Sequence, residues 1–178
     1  VSFPDEMYQH DQDKYDWALN GKGVGTERRR VCQDFYKGMP HPESARLVVE
    51  KINRMEANEA RAEEFMTEDA EIVLVSYGTM SRVCKEAVMN AREADLKVGL
   101  IRPQTIWPFP KFAFENCKAD KYLVVEQCIM PQMTEDVKLA TRGTNKEVYS
   151  YTTGRTCPGT TAVLDKINDV LAGKVQEV

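Results

Sequence analysis

Side chains able to do chemistry gather where apolar runs end. The run at residues 71–76 gives way to Ser76-Tyr77-Gly78-Thr79-Met80-Ser81-Arg82, and a helical pattern follows at once. A glycine between a strand end and a helix start permits close backbone approach, and Thr79 or Ser81 can cap the helix. Free amides at such a helix start attract phosphate or carboxylate, with Arg82 adding positive charge. The plain alternative is an ordinary strand–helix turn with a capping hydroxyl. After the run at 97–101 comes Arg102-Pro103-Gln104-Thr105-Ile106-Trp107-Pro108-Phe109-Pro110. Its prolines exclude regular helix and central strand through most of the segment, so a stiff loop is expected. Arg102 offers a bidentate donor there, and Trp107 and Phe109 offer apolar anchors for the domain's own body or for a partner.

The third run, 121–126, ends on Glu126, with Gln132, Glu135 and Asp136 opening the helix that follows. Acidic residues suit a helix start on dipole grounds alone. Glu126 is also a candidate general base, or an acceptor for a group held by a partner. No His, Lys or nucleophile is paired with it by spacing.

Other chemistries lack their patterns. The five cysteines, Cys32, Cys84, Cys117, Cys128 and Cys157, form no CxxC pair, and His10 and His41 have no ligand-like spacing. Neither a zinc site nor an iron–sulfur cluster is encoded by such spacing. The net charge of −4 argues against a general polyanion binder, including nucleic acid. Arg28-Arg29-Arg30 reads as a solvated basic run, with contact to an acidic partner or a phosphate as the alternative. The apolar runs are too short to span a bilayer. The chain opens on Val1-Ser2-Phe3-Pro4, without a secretory pattern. The expectation is a cytoplasmic protein with reduced thiols, read as a cut through a longer polypeptide.

Three zones must position these residues. Residues 1–40 are polar and aperiodic, and Gly21-Lys22-Gly23-Val24-Gly25 lacks the preceding strand that a nucleotide loop needs, so this zone reads as an arm or interdomain linker. Residues 41–66 carry Leu47, Val48, Ile52, Met55 and Ala62 at three- and four-residue steps, the mark of an amphipathic helix. Residues 67–178 alternate apolar strands with helical patterns: strands at 71–76, 97–101, 121–126 and 147–151, helices carrying Val83, Ala87, Val88 and Ala91, then 132–140 and 161–171. Near-continuous apolar strands between helices require a sheet buried on both faces. The fold class is therefore α/β, three layers, with a mostly parallel sheet covered on both faces.

Three segments carry a resemblance beyond periodicity. They are Asp69-Ala70-Glu71-Ile72-Val73-Leu74-Val75-Ser76-Tyr77-Gly78-Thr79; then Ala91-Arg92-Glu93 with Lys97-Val98-Gly99-Leu100-Ile101-Arg102-Pro103 and Trp107-Pro108-Phe109-Pro110; and Val124-Val125-Glu126 with Gln132-Met133 and Glu135-Asp136-Val137. In this order they resemble the C-terminal part of the alpha subunit of 2-oxoacid:ferredoxin oxidoreductases, of the branched-chain (2-ketoisovalerate) and 2-oxoglutarate types. The chain departs from that pattern at Gln127-Cys128-Ile129-Met130-Pro131 and at Gly154-Arg155-Thr156-Cys157-Pro158.

The resemblance implies a fold like the C-terminal domain of transketolase. It implies membership of an enzyme converting a 2-oxoacid and coenzyme A to acyl-CoA and carbon dioxide, with electrons passed to ferredoxin. Thiamine diphosphate, magnesium and [4Fe-4S] clusters would serve the complete enzyme, and none would be bound by this chain alone. The implied partners are the N-terminal domain of the alpha subunit, the beta, gamma and ferredoxin-like subunits, and ferredoxin. On this reading the domain braces an assembly. No residue here is catalytic, and Trp107, Phe109, Glu126, Gln132 and Asp136 are interface candidates. A second reading makes Gly78, Thr79, Ser81, Arg82 and Arg102 an anion or coenzyme A edge. A third, a free-standing doubly wound nucleotide-binding protein, lacks the glycine fingerprint after its first strand.

Overall fold

The computed structural model describes residues 40–178. The polar arm with its glycine cluster, the Arg28–Arg30 run, His10 and Cys32 lie outside the described residues. The chain divides into two compact units, residues 1–48 and 49–178, and the sheet belongs to the second. Helix α1 (His41–Glu59) carries Pro42 and Glu43 in its first turn, where a missing amide and a negative charge are tolerated. Its apolar positions Leu47, Val49 and Ile52 are exposed.

The helix does not run to residue 66 as its pattern suggests. It ends at Glu59, and the next residues form strand β1 (Ala62–Phe65), antiparallel to β3 (Val98–Pro103). The change of direction is pinned by cross-chain bonds that periodicity cannot show. The amide of Arg61 donates to Thr105 Oγ1 at 2.9 Å, and Gln104 N donates to the Arg61 carbonyl at 2.9 Å. The sheet therefore begins five residues before the boundary read at residue 67.

Four parallel strands complete it: β2 (Ile72–Val75), β3, β4 (Lys121–Glu126) and β5 (Glu147–Thr152), in the order β1-β3-β2-β4-β5. All four residues of β2 are buried, as expected for a central strand covered on both faces. Ile72, Leu74, Leu100 and Leu123 pack on one side against α2 (Gly78–Glu93) and α5 (Thr160–Leu171). Val73, Val75, Ile101 and Val124 pack on the other, against α3 (Lys111–Asn116) and α4 (Met133–Ala140). Successive residues on each strand thus serve opposite layers, and residues two apart share one, which is the period-2 geometry of a pleated sheet.

Two polar side chains hold the amino-terminal end of the sheet. Arg92, in the last turn of α2, donates to the Val98 carbonyl at 2.7 Å and the Met66 carbonyl at 2.8 Å, and grips both oxygens of Asp69. Gly99 sits beneath the same turn: a Cβ there would meet the Met66 carbonyl at 2.7 Å, so only glycine lets the turn pack on β3. Opposite, Lys146 donates to the Phe114 and Cys117 carbonyls at 2.6 and 2.7 Å and to the Tyr122 hydroxyl at 3.0 Å. It closes the end of the short helix α3, whose last carbonyls have no intrahelical partners.

Candidate functional site

Neighbouring strands β2 and β4 send their following helices, α2 and α4, to opposite faces. Two chains leaving a sheet in opposite directions cannot fill the space between them, and a crevice opens at the carboxyl ends of the strands. Here it is a cleft of about 200 Å³ with residues 77–80 on one wall and 125–128 on the other.

The first wall comes from the β2–α2 turn. Buried Ser76 donates its hydroxyl to the Val125 carbonyl at 2.8 Å, locking the ends of β2 and β4 together. Gly78 then opens α2 at φ +60, a left-handed conformation at which a Cβ would be strained. Neither Thr79 nor Ser81 caps the helix. Its start carries no side-chain cap bond and no acidic residue in the first turn, and Ser81 Oγ instead donates back to the Gly78 carbonyl at 2.7 Å. Thr79 and Arg82 are exposed.

The second wall is organised by Glu126, only 3 % exposed. Its carboxylate accepts from the amides of Gln132, Met133 and Thr134, at 3.1, 2.7 and 3.2 Å, and from Thr134 Oγ1 at 2.9 Å. Thr134 Oγ1 in turn reaches Ser150 Oγ on β5 at 3.2 Å. Glu126 is thus the cap of α4, supplied from the strand before it. With its lone pairs committed, it is a brace in this structure and is not set up as a base. Two neighbours feel its charge. Burial, then Glu126 and Glu135, raise the Asp136 carboxyl above its ordinary value. Burial and then Glu126 likewise raise the Cys128 thiol, which favours the protonated form on the cleft wall.

The Pro-rich segment sorts its residues differently from their order in sequence. β3 continues through Arg102 to Pro103 before the loop begins. Arg102 faces Glu63 across the β1–β3 pair and bonds it at 3.0 Å, and Lys85 from α2 reaches the same carboxylate at 2.6 Å. Hydrogen bonding from Lys85 first, outweighing burial, and then from Arg102 holds Glu63 below the usual carboxylate range. Arg102 therefore does not line the Gly78 cleft. Trp107 and Phe109 part company too. Phe109 stacks on Phe114 with ring centres 5.5 Å apart, whereas Trp107 stays 57 % exposed.

A feature that no single motif announces emerges from these loops. Tyr77 after β2, Ile106 and Trp107 after β3, and Ile129 and Met130 after β4 are all exposed, the last two above 70 %. The carboxyl edge of the sheet is crested with apolar side chains, while Glu126 is buried and Arg102 is paired with Glu63. Gln132 gives its amide to Glu126 and is itself exposed, and Asp136 is half-buried. Sequence reasoning missed Ser76, Glu63, Lys85 and Thr134, whose roles depend on partners brought near by the fold.

The sheet order, the helices on both faces and the cleft between β2 and β4 define a doubly wound α/β domain with a crevice at the strand carboxyl ends. The family of the pyruvate:ferredoxin oxidoreductase core domain II matches residues 70–164, more than half of the chain, and the chain belongs to it. It is 35% identical over 179 residues to the ketoisovalerate oxidoreductase subunit VorB of Methanothermobacter marburgensis, covering all of this chain and 48% of that protein. It is 44% identical over 86 residues to the 2-oxoglutarate synthase subunit KorA of Methanocaldococcus jannaschii, covering 48% of this chain and 23% of that one. Among solved structures, the 2-oxoglutarate:ferredoxin oxidoreductase from Magnetococcus marinus, with 2-oxoglutarate, coenzyme A and succinyl-CoA bound, matches with a TM-score of 0.61 at 18% identity, over 74% of this chain and 24% of its own. A split-gene transketolase, an inactive beta4 tetramer, matches at TM-score 0.54 and 10% identity, over 63% and 41%. Both likenesses are likenesses of fold. The chain spans about half the length of the ketoisovalerate oxidoreductase subunit, so its relatives carry this domain inside a larger subunit.

Proposed function

We propose that this chain is the bracing domain of the alpha-type subunit of a 2-oxoacid:ferredoxin oxidoreductase. In the complete enzyme a 2-oxoacid and coenzyme A give acyl-CoA and carbon dioxide, and the electrons pass to ferredoxin. The setting is cytoplasmic, and the partners are the rest of the alpha subunit and the beta, gamma and ferredoxin-like subunits. The observation that carries this reading is the carboxyl edge itself. Glu126 and Arg102 are paired within the domain while Tyr77, Ile106, Trp107, Ile129 and Met130 are exposed, the pattern of a surface built to be covered. Phe109, packed on Phe114, sets the loop behind Trp107, and Glu126 with Gln132 and Asp136 sets the loop and helix behind Ile129 and Met130.

Thiamine diphosphate with magnesium would supply carbanion stabilisation, and [4Fe-4S] clusters would supply electron transfer. The described residues do not fit either group. They contain no set of three His, Cys, Asp or Glu able to hold a metal ion, and Glu126 is fully engaged by α4. Those groups are assigned to other parts of the enzyme. The test is turnover. The purified chain is expected to give no 2-oxoacid-dependent dye reduction, and the complete enzyme containing it is expected to give it. Turnover by the chain alone would overturn the reading.

The uncapped, acid-free first turn of α2 in the switch-point cleft favours a second reading, an anion edge for coenzyme A. Gly78, Thr79, Ser81 and Arg82 would form it. Arg102, paired with Glu63, would take part only by leaving that pair. Binding to the folded state raises apparent stability, so coenzyme A should raise the thermal midpoint of the chain, and Arg82→Ala should diminish the rise. An unchanged midpoint at saturating coenzyme A would remove this second reading.

A further inference from the structure

Sulfur atoms gather where α2 meets the loop between β5 and α5. Met80 and Cys84 stand four residues apart in α2, so they share one face of the helix, and both are buried. The third sulfur comes from the loop. Cys157 Sγ lies 3.8 Å from Met80 Sδ, and Cys157 is open to solvent. The loop is held by its own bonds. The Gly154 amide donates to the Cys128 carbonyl at 2.9 Å, and Thr153 and Thr156 each donate a hydroxyl to the other's carbonyl. Cys84 is close enough to feel Cys157. Burial pushes the Cys84 thiol up to about 12, a hydrogen bond with Ser76 works against the rise, and the charge of Cys157 adds to it. Both thiols are free.

Two thiols and a thioether are soft donors, the set that selects a soft metal ion. Two ligands each about 2.3 Å from one ion, at a trigonal angle, stand about 4 Å apart. The Met80–Cys157 separation is already of that size. No set of three His, Cys, Asp or Glu comes together among the described residues, so the fourth donor of a tetrahedral zinc site is missing. The other neighbours are apolar: Met80 and Cys84 belong to the core cluster that holds Leu123, Val125 and Val163. We propose that Met80, Cys84 and Cys157 bind one copper(I) ion in a three-coordinate, all-sulfur site, which the ion enters from the exposed side of Cys157. Binding releases the two thiol protons to solvent, and no electron is transferred. The site stands apart from the oxidoreductase reading and does not depend on it.

The test is an anaerobic titration of the full chain with copper(I) presented as its bicinchoninate complex, whose colour fades as the metal is transferred. The parent should take up the metal, and X-ray absorption at the copper edge should show only sulfur neighbours, at about 2.3 Å. Met80→Leu conserves core volume and Cys157→Ser changes an exposed position, so both should keep the parent's thermal midpoint. Each should weaken copper binding about tenfold or more. Cys117→Ser, on the opposite face of the sheet, should leave it unchanged. Zinc(II) at equal concentration should not displace the copper. Equal affinity in the parent, Met80→Leu and Cys157→Ser would overturn the proposal. So would an equal loss in Cys117→Ser, nitrogen or oxygen neighbours in the absorption spectrum, displacement by zinc, or no uptake by the parent.

Discussion

Glu126 shows how one residue can carry both a strand end and a helix start. A buried carboxylate that accepts three amides and a hydroxyl makes charge-assisted bonds, which are stronger than neutral ones. Glu126→Gln places an amide donor against those amides and should cost about 2–3 kcal/mol in urea unfolding. A loss below about 0.5 kcal/mol would mean that α4 starts without it. Glu63 gives the pH dependence. Its folded pKa lies below the ordinary 4.5, so its contribution is fully present above that value and is lost as pH falls through the depressed one. Stability should therefore fall on acidification below about pH 4.5, and Glu63→Gln should flatten that limb. The same slope in both proteins would show that the Lys85–Glu63–Arg102 cluster contributes nothing. The sequence marked Glu126 and Arg102 as notable because each ends an apolar run. It did not disclose their partners. Glu63 lies 39 residues from Arg102, and a carboxylate that caps a helix looks the same in sequence as one that acts as a base.

At the scale of elements, the four parallel strands and helices α2, α4 and α5 were readable because buried strands must be continuous runs and their covering helices amphipathic. β1 was not. Ala62-Glu63-Glu64-Phe65 is short, carries two helix-favouring glutamates, and becomes a strand only by pairing with β3. α3 was hidden for a related reason: six residues behind Pro110 make too short a pattern, and Lys146 closes the helix from far along the chain. Lys146→Met should leave two carbonyls and a buried tyrosine hydroxyl without their donor, costing about 1–3 kcal/mol by chemical denaturation. A neutral result would place the stability of α3 in Phe114 alone. Gly99→Ala tests the turn after β1. Its new methyl group meets backbone, which cannot swing aside, so the expected cost is about 1–3 kcal/mol. A variant as stable as the parent would show that the turn at Met66 moves freely off the sheet.

For the molecule as a whole, the family, the sheet order and the outward apolar crest point in one direction. This domain, which its relatives carry inside a larger subunit, has committed the buried Glu126 to its own helix and leaves apolar side chains exposed on its loops. Individually, exposed apolar residues need no explanation. Five of them on three loops at one edge do. The measurement that bears most directly on this account introduces Ile129→Asp and Met130→Asp together in the complete enzyme. It then compares subunit assembly by sedimentation with the rate of 2-oxoacid- and coenzyme A-dependent reduction per assembled complex. The bracing account expects assembly to weaken by at least tenfold, with turnover per assembled complex unchanged. Complexes that assemble fully and no longer turn over would contradict it, and would move the carboxyl edge of this domain from the scaffold to the chemistry.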